Sequence, residues 1–212
     1  MLIHLRRAVI FAVICMVFFG FVYAFAGTGV AQLLFKHQAD GSITADGSTL
    51  IGQPWNLTKC PGHPLGSCVF QGRPDDLGPY ADTNAKNPSP VGHPGDDPYD
   101  LNGVAGASGA TNLGPRSKEL LADTKILVKY WHARGVDPTP DLVTTSGSGY
   151  DPDISEQDAL VQIPMVAKAT GISSTRLRAL VVSYTHPAQF GFLGAQYIDV
   201  LELNEGLAAL KK

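Results

Sequence analysis

Residues 8–26 read AVIFAVICMVFFGFVYAFA, and the run without a charged side chain continues to Phe35, 28 positions in all, directly after Arg6 and Arg7. A soluble amphipathic helix carries a polar stripe, whereas a segment that is apolar on every face has lipid as its natural solvent. At ~1.5 Å per residue the stretch comes close to the ~30 Å hydrocarbon thickness of a bilayer. Gly27 and Gly29 are expected to loosen the helix, and the run from Gln32 through Lys36 to Asp40 marks the exit into water. Positively charged flanks stay in the cytoplasm, so the N-terminus is expected inside and the remainder of the chain outside. A secretory signal peptide is the competing reading, since Ala24-Phe25-Ala26 before Gly27 fits an A-x-A cleavage site. The apolar region exceeds the ~7–15 residues usual in such peptides and favours an uncleaved anchor; both readings put the folded domain outside the cytoplasm. The expected organisation is a cytoplasmic N-terminus at 1–7, a transmembrane helix at 8–28, a juxtamembrane connector at 29–46 and an extracytoplasmic domain at 47–212.

All 19 acidic residues lie beyond the apolar run against 14 of the 16 basic ones, a formal balance of −5 that argues against a nucleic-acid partner. Gly and Pro together number 38, which marks a domain rich in turns. Cys15 falls in the apolar run, while Cys60 and Cys68 fall in the exposed domain. Outside the cytoplasm these two are candidates for a disulfide. Cys60-Pro-Gly-His63 with Cys68 is also a three-ligand fragment of a metal site, but a structural zinc site needs a fourth ligand and none is close in sequence. Two unpaired thiols are the third reading.

Gly47–Gln53 and Gly66–Gly72 read as short extended segments separated by a Pro/Gly/Cys loop. Residues 75–100 hold six aspartates, one lysine and five prolines with few large apolar side chains, and read as a long surface loop. Ser117 is placed to cap a helix through about Arg134, with Leu120, Leu127, Val128 and Trp131 on one face and Gly135 as terminator. Asp141–Thr145 reads as a brief strand. Ser155 with Asp158 resembles a capping box for a helix to about Thr170, in which Pro164 is expected to produce an irregular turn. A third helix is expected after Ser173 or Ser174, with Leu177, Leu180 and Val181 inward. Tyr197–Leu203 reads as the clearest strand, with Asn204 capping a short terminal helix. Helices and short strands without βαβ alternation give an α+β class: a single N-terminal transmembrane helix followed by one small extracytoplasmic mixed α/β domain.

No G-x-x-x-x-G-K-[ST] loop occurs, and the glycines at 103, 106 and 109 lack the lysine of a phosphate cradle and read as turn formers. Ser146 and Ser148 sit among glycines without a G-x-S-x-G motif, and no histidine is near them in sequence. Asp151 and Asp153 lack the closing glutamate of a calcium loop and read as a turn with a helix entry. No catalytic, metal or cofactor residue is expected. The acidic 75–100 stretch reads as a solvated spacer, with cation enrichment near the membrane as the alternative.

Several short motifs, in order along nearly the whole chain, resemble the C subunit of the Kdp potassium-transporting ATPase. They are Gly47-Ser48 with Leu50-Ile51-Gly52-Gln53, Phe70-x-Gly72-Arg73-Pro74, Ala107-Ser108-Gly109 with Asn112-Leu113, and Leu142-Val143-Thr144-x-Ser146-Gly147-Ser148-Gly149. Asp151 with Ile154, Gln162-Ile163-Pro164-x-Val166-Ala167-Lys168-Ala169 and Val200-Leu201-x-Leu203-Asn204 complete the series. Departures from the family pattern are the acidic insertion at about 75–100, Gln71, Tyr150 and the Cys60–Cys68 loop.

The resemblance implies a non-catalytic subunit, in the cell membrane, of a complex that imports potassium at the expense of ATP. Its implied partners are a P-type ATPase subunit that performs the hydrolysis, a channel-like potassium-binding subunit, a very small membrane peptide, and lipid around the span. The family is described as a catalytic chaperone that raises the ATP affinity of the hydrolysing subunit; ATP and potassium are handled by the complex, and no cofactor is assigned to this chain. Candidate partner-contact or motif residues are Gly52, Gln53, Gly72, Arg73, Pro74, Asn112, Ser146, Gly147, Ser148, Gly149 and Gln162. The rival function is an independent extracytoplasmic membrane-anchored enzyme or solute-binding protein, which would bind or turn over a small molecule by itself.

Overall fold

A computed structural model describes residues 2–53, 55–74, 110–149 and 151–211, and divides the chain into two compact units, Met1–Ala45 and Asp46–Lys212. The expected 75–100 insertion, the Ala107-Ser108-Gly109 motif, the glycines at 103 and 106, and Tyr150 lie outside the described residues.

The first unit is one apolar helix over Leu2–Leu34, made of α1 (Leu2–Val17), a π-helical turn (Phe18–Val22) and α2 (Tyr23–Leu34). Its 33 residues extend ~50 Å, more than a hydrocarbon core requires. Gly27 and Gly29 do not loosen it: both lie within α2, because the flanking Ala, Val and Leu residues sustain the helix and glycine in a helix costs only ~1 kcal/mol. Phe11, Phe19, Phe25 and Leu33 are all exposed, so this unit has no core of its own. A short helix, α3 (Lys36–Ala39), follows, with Gln32 donating to Asp40 at 2.9 Å.

The second unit is a mixed helix and strand domain built on α4 (Lys118–His132), α5 (Glu156–Thr170), α6 (Ser174–Ser183) and α7 (Val200–Leu210). Three helix starts are fixed by the side chains that the sequence offers. The Ser117 hydroxyl accepts from the amides of Glu119 and Leu120, Ser155 and Asp158 form a reciprocal capping box, and Ser173 accepts from Arg176. Phe70, Leu127, Trp131, Leu142, Val166, Leu177 and Leu203 pack into a single buried cluster. The Trp131 indole N–H, which needs a partner when buried, donates to the Leu142 carbonyl at 2.9 Å.

Several local expectations are corrected by the structure. Asp141–Val143 is a 3₁₀ turn and not a strand, since Pro140 enters with helical dihedrals and Trp131 takes the Leu142 carbonyl that a ladder would need. Pro164 lies inside α5 without interrupting it; its ring is on the exposed side, where the missing N–H is cheapest to lose. The strand expected over 197–203 is only Ile198–Asp199 (β2), paired antiparallel with Asp153–Ile154 (β1). Asp199 then caps α7 by accepting from the Glu202 amide, and Asn204 sits within that helix as a buried residue. Gly47–Gln53 makes a tight turn closed by a Ser48–Ile51 bridge, and Gly66–Gly72 passes from turns into irregular chain without joining a sheet.

Candidate functional site

Among the described residues no strand lies beside the Phe70–Pro74 segment, yet Phe70 and Gln71 are buried and their peptide groups cannot be left unpaired. Two side-chain amides take the place of a neighbouring strand. Asn204 of α7 accepts from the Phe70 N–H at 2.8 Å and donates to the Phe70 carbonyl at 2.9 Å. Gln162 of α5 accepts from the Gln71 N–H at 2.8 Å and donates to the Gln71 carbonyl at 3.0 Å. The Gln71 side chain in turn donates to the Gly66 carbonyl and accepts from the Tyr130 hydroxyl at 2.9 Å. Gly66 itself is required: φ is +73°, and an added Cβ would lie 2.7 Å from the Asn56 Cα.

Immediately beyond, Arg73 ties this segment to the Ser146–Gly149 loop. One guanidinium nitrogen donates to the Thr145 carbonyl at 3.2 Å, and the other lies 3.6 Å from the Asp151 carboxylate. The Ser146 hydroxyl donates to Asp151 at 2.9 Å, so the Ser148 hydroxyl, also 2.9 Å away, is the donor to Ser146. The Ser148 N–H reaches the same oxygen, and the Ser146 N–H donates to the Pro74 carbonyl at 3.3 Å. No histidine bonds Ser146 or Ser148 among the described residues, so the serines act here as loop braces and not as an activated nucleophile.

Gly52 and Gln53 come to the same region, lining a small hollow of about 10 Å³ with Gly72, Asp151 and Val200. Gln53 also donates to the Asp46 carbonyl. Gly147 stands exposed at the loop tip, while Gly149 is buried beneath it. Asn112 stays apart: it adopts a left-handed conformation with φ of 55° and bonds the nearby Ala110 carbonyl. Cys60 and Cys68 are bonded, S–S 2.07 Å, and pack with Val69 against Trp55 and Ala169.

Next to Asp151 lies an acidic patch that the sequence reading missed. Antiparallel register sets Asp153 opposite Asp199, with Glu202 in the first turn of α7. Burial, then the charges of Asp151 and Asp199, push the Asp153 carboxyl up from 3.8 to about 6, with His186 working the other way. Burial likewise raises Asp199, against the hydrogen bond it accepts from the Glu202 amide. His186 stacks on Tyr197 and meets Glu202 at 2.9 Å. Among the described residues no three His, Cys, Asp or Glu side chains are grouped to hold a metal ion.

The sequence reading also missed Asn204 and Gln71 as structural centres. A signal for Asn204 was present: Val200, Leu203, Asn204 and Leu207 follow the i, i+3, i+4, i+7 spacing of a buried helix face. No such local signal marks Gln71, whose partners Tyr130 and Gln162 are 59 and 91 positions away.

Comparison with known proteins finds a family model described as "K+-transporting ATPase, c chain" matching residues 5–209. A "Potassium-transporting ATPase KdpC subunit" of Rhodopseudomonas palustris (strain BisB18) is 37% identical over 218 residues, covering 100% of both chains. Proteins of the same name from Methylobacterium nodulans and from Rhodopseudomonas palustris (strain TIE-1) are 37% and 38% identical over 217 residues, covering 99% of this chain and 98% of theirs.

Proposed function

This chain belongs to the KdpC family, the c chain of K+-transporting ATPases, and we propose from that premise that it is a non-hydrolytic, membrane-anchored accessory subunit of an ATP-driven potassium importer. Membership makes it a subunit of a potassium-transport complex. Hydrolysis belongs to a P-type ATPase subunit and potassium passage to a channel-like subunit, with a very small membrane peptide completing the assembly. This chain holds no cofactor of its own.

The observation that carries this reading is the helix Leu2–Leu34, whose large apolar side chains are all exposed within their own unit. Such a surface requires lipid and neighbouring helices to cover it. The polar groups of the candidate site support the non-catalytic assignment, because Arg73, Asp151, Ser146 and Ser148 bond one another. Arg6 and Arg7 retain the N-terminus in the cytoplasm, which sets the domain on the outer face, across the bilayer from ATP. The domain then packs on the outer surface of the channel-like subunit. A rise in ATP affinity at the hydrolysing subunit, the chaperone role, is a coupling transmitted through the assembly and not direct contact with nucleotide.

Truncation after residue 46, in cells that depend on the complex, tests the assignment. Potassium uptake and co-purification with the P-type subunit should both be lost, and normal uptake would refute it. Orientation has a separate readout: a His37→Cys, Cys15→Ser variant should react with a membrane-impermeant maleimide from outside. Labelling only after permeabilisation would reverse the topology.

A further inference from the structure

On the Cys60–Cys68 side of the domain, a cleft of about 220 Å³ opens between the 61–67 turns, the C-terminal end of α4 and the C-terminal half of α5. His63, Ser67, Arg134, Gly135, Met165 and Lys168 are among the residues that line it. Its ionisable lining residues, among those described, are three bases, His63, Arg134 and Lys168, on a part of the chain whose formal balance is −5. Bases at helix C-termini offset the helix dipole, which accounts for Arg134 and Lys168 one at a time. It does not account for their convergence with His63, which comes from a loop.

Arg134 is held in place before any ligand arrives. Its guanidinium lies 3.5 Å over the centre of the Tyr130 ring, and Nη1 donates to the Tyr130 carbonyl at 3.1 Å. Nη2, the Lys168 ammonium and the His63 ring make no hydrogen bond or ion pair among the described residues. The arginine and lysine charges, gathered in a concavity with low-dielectric walls, focus a positive potential. No Phe, Tyr or Trp lines the cleft among the described residues, so it offers no stacking surface for a nucleotide base.

We propose that this cleft is an oxyanion site that takes the phosphate oxygens of free phosphate or of a phospholipid headgroup. Arg134 is the fixed, planar donor, and Lys168 and His63 are the adjustable ones. The site is separate from the Arg73–Ser146 cluster, and its occupant acts on this chain without any part in ATP hydrolysis.

The test uses the full chain in phosphatidylcholine nanodiscs, with the unfolding temperature as readout. In one arm inorganic phosphate is titrated against chloride at matched ionic strength; in the other, phosphatidylglycerol replaces part of the lipid. Lys168 is exposed and His63 makes only a backbone bond, so Lys168→Gln and His63→Gln leave the fold intact. Wild type should be protected, and each substitution should weaken the apparent affinity about five-fold, as expected for loss of one solvent-screened charged hydrogen bond. Protection that the variants weaken supports the site, and the arm in which it occurs identifies free phosphate or headgroup as the source. Equal response of wild type and variants in both arms, or no response in either, overturns the proposal.

Discussion

Replacing Asn204 by leucine removes both hydrogen bonds of the Phe70 peptide while keeping nearly the same side-chain volume. Phe70 is fully buried, so its N–H and C=O would have no water to turn to. Each stranded group costs about 1–3 kcal/mol, and the added apolar contact of leucine returns about 1–2 kcal/mol. Taking the middle of each range, the net expectation is a loss of about 2–3 kcal/mol, a large fraction of the ~5–15 kcal/mol that holds a typical domain together. For a chain of this size that corresponds to a fall in unfolding temperature of roughly 4–12 °C. Urea unfolding of the full chain in detergent, followed by the fluorescence of buried Trp131, measures it. Asn204→Asp separates the two bonds, because a carboxylate still accepts from the Phe70 N–H but no longer donates to its carbonyl. Gln162→Leu should reproduce the loss one residue along, at Gln71. The double variant should lose less than the sum, since neighbouring peptides detach together. An Asn204→Leu protein within about 0.5 kcal/mol of wild type, well below the stated cost of two stranded groups, would refute the view that these amides substitute for a strand.

Three further expectations follow from specific contacts. Asp153, pushed up to about 6 from 3.8, binds its proton more tightly in the folded state, so stability falls as pH rises through that window. After discounting for solvent screening the penalty at neutral pH is about 1–2 kcal/mol. Asp153→Asn should therefore stabilise the protein at pH 7.5 and flatten its stability between pH 4 and 6, with Asp151, Asp199, Glu202 and His186 unchanged; calorimetry across that range checks it. Gly206→Ala should raise helix propensity by ~1 kcal/mol, yet its Cβ would lie 2.6 Å from the Tyr184 ring. Overpacking costs about 1–3 kcal/mol, so thermal denaturation should show net destabilisation, relieved in the Gly206→Ala, Tyr184→Leu double variant. Cutting the Cys60–Cys68 bond, which links positions 8 apart, should lower stability by about 2–3 kcal/mol on chain-entropy grounds. Urea unfolding with and without reductant measures that loss.

Local physics made part of this molecule legible before any coordinates. An uncharged apolar run long enough to cross the hydrocarbon core of a bilayer reads as an anchor or a leader, and residues 2–34 form one helix. Caps at Ser117, Ser155 with Asp158, and Ser173 act within four residues, so sequence spacing alone places them. The family followed from the order of short motifs, several of which turn out to be one assembly: Gly72-Arg73-Pro74, Ser146–Gly149 and Asp151 meet through a shared set of hydrogen bonds.

Tertiary structure alone decided what the amides of Asn204, Gln162 and Gln71 do, because their partners lie up to 134 positions away. The helix over residues 200–203 was in part a local matter, since Asp199 caps it three residues on and its apolar side chains recur at helical and not strand spacing; packing of that face in the core completed the choice. β-branched residues fit either state, and packing chose between them. The raised Asp153 carboxyl comes first from burial, then from the charge of nearby Asp151, and then from Asp199, which faces it only because two distant segments pair. Short-range capping and hydropathy are written into a sequence one turn at a time, whereas burial and pairing exist only once the chain has closed on itself.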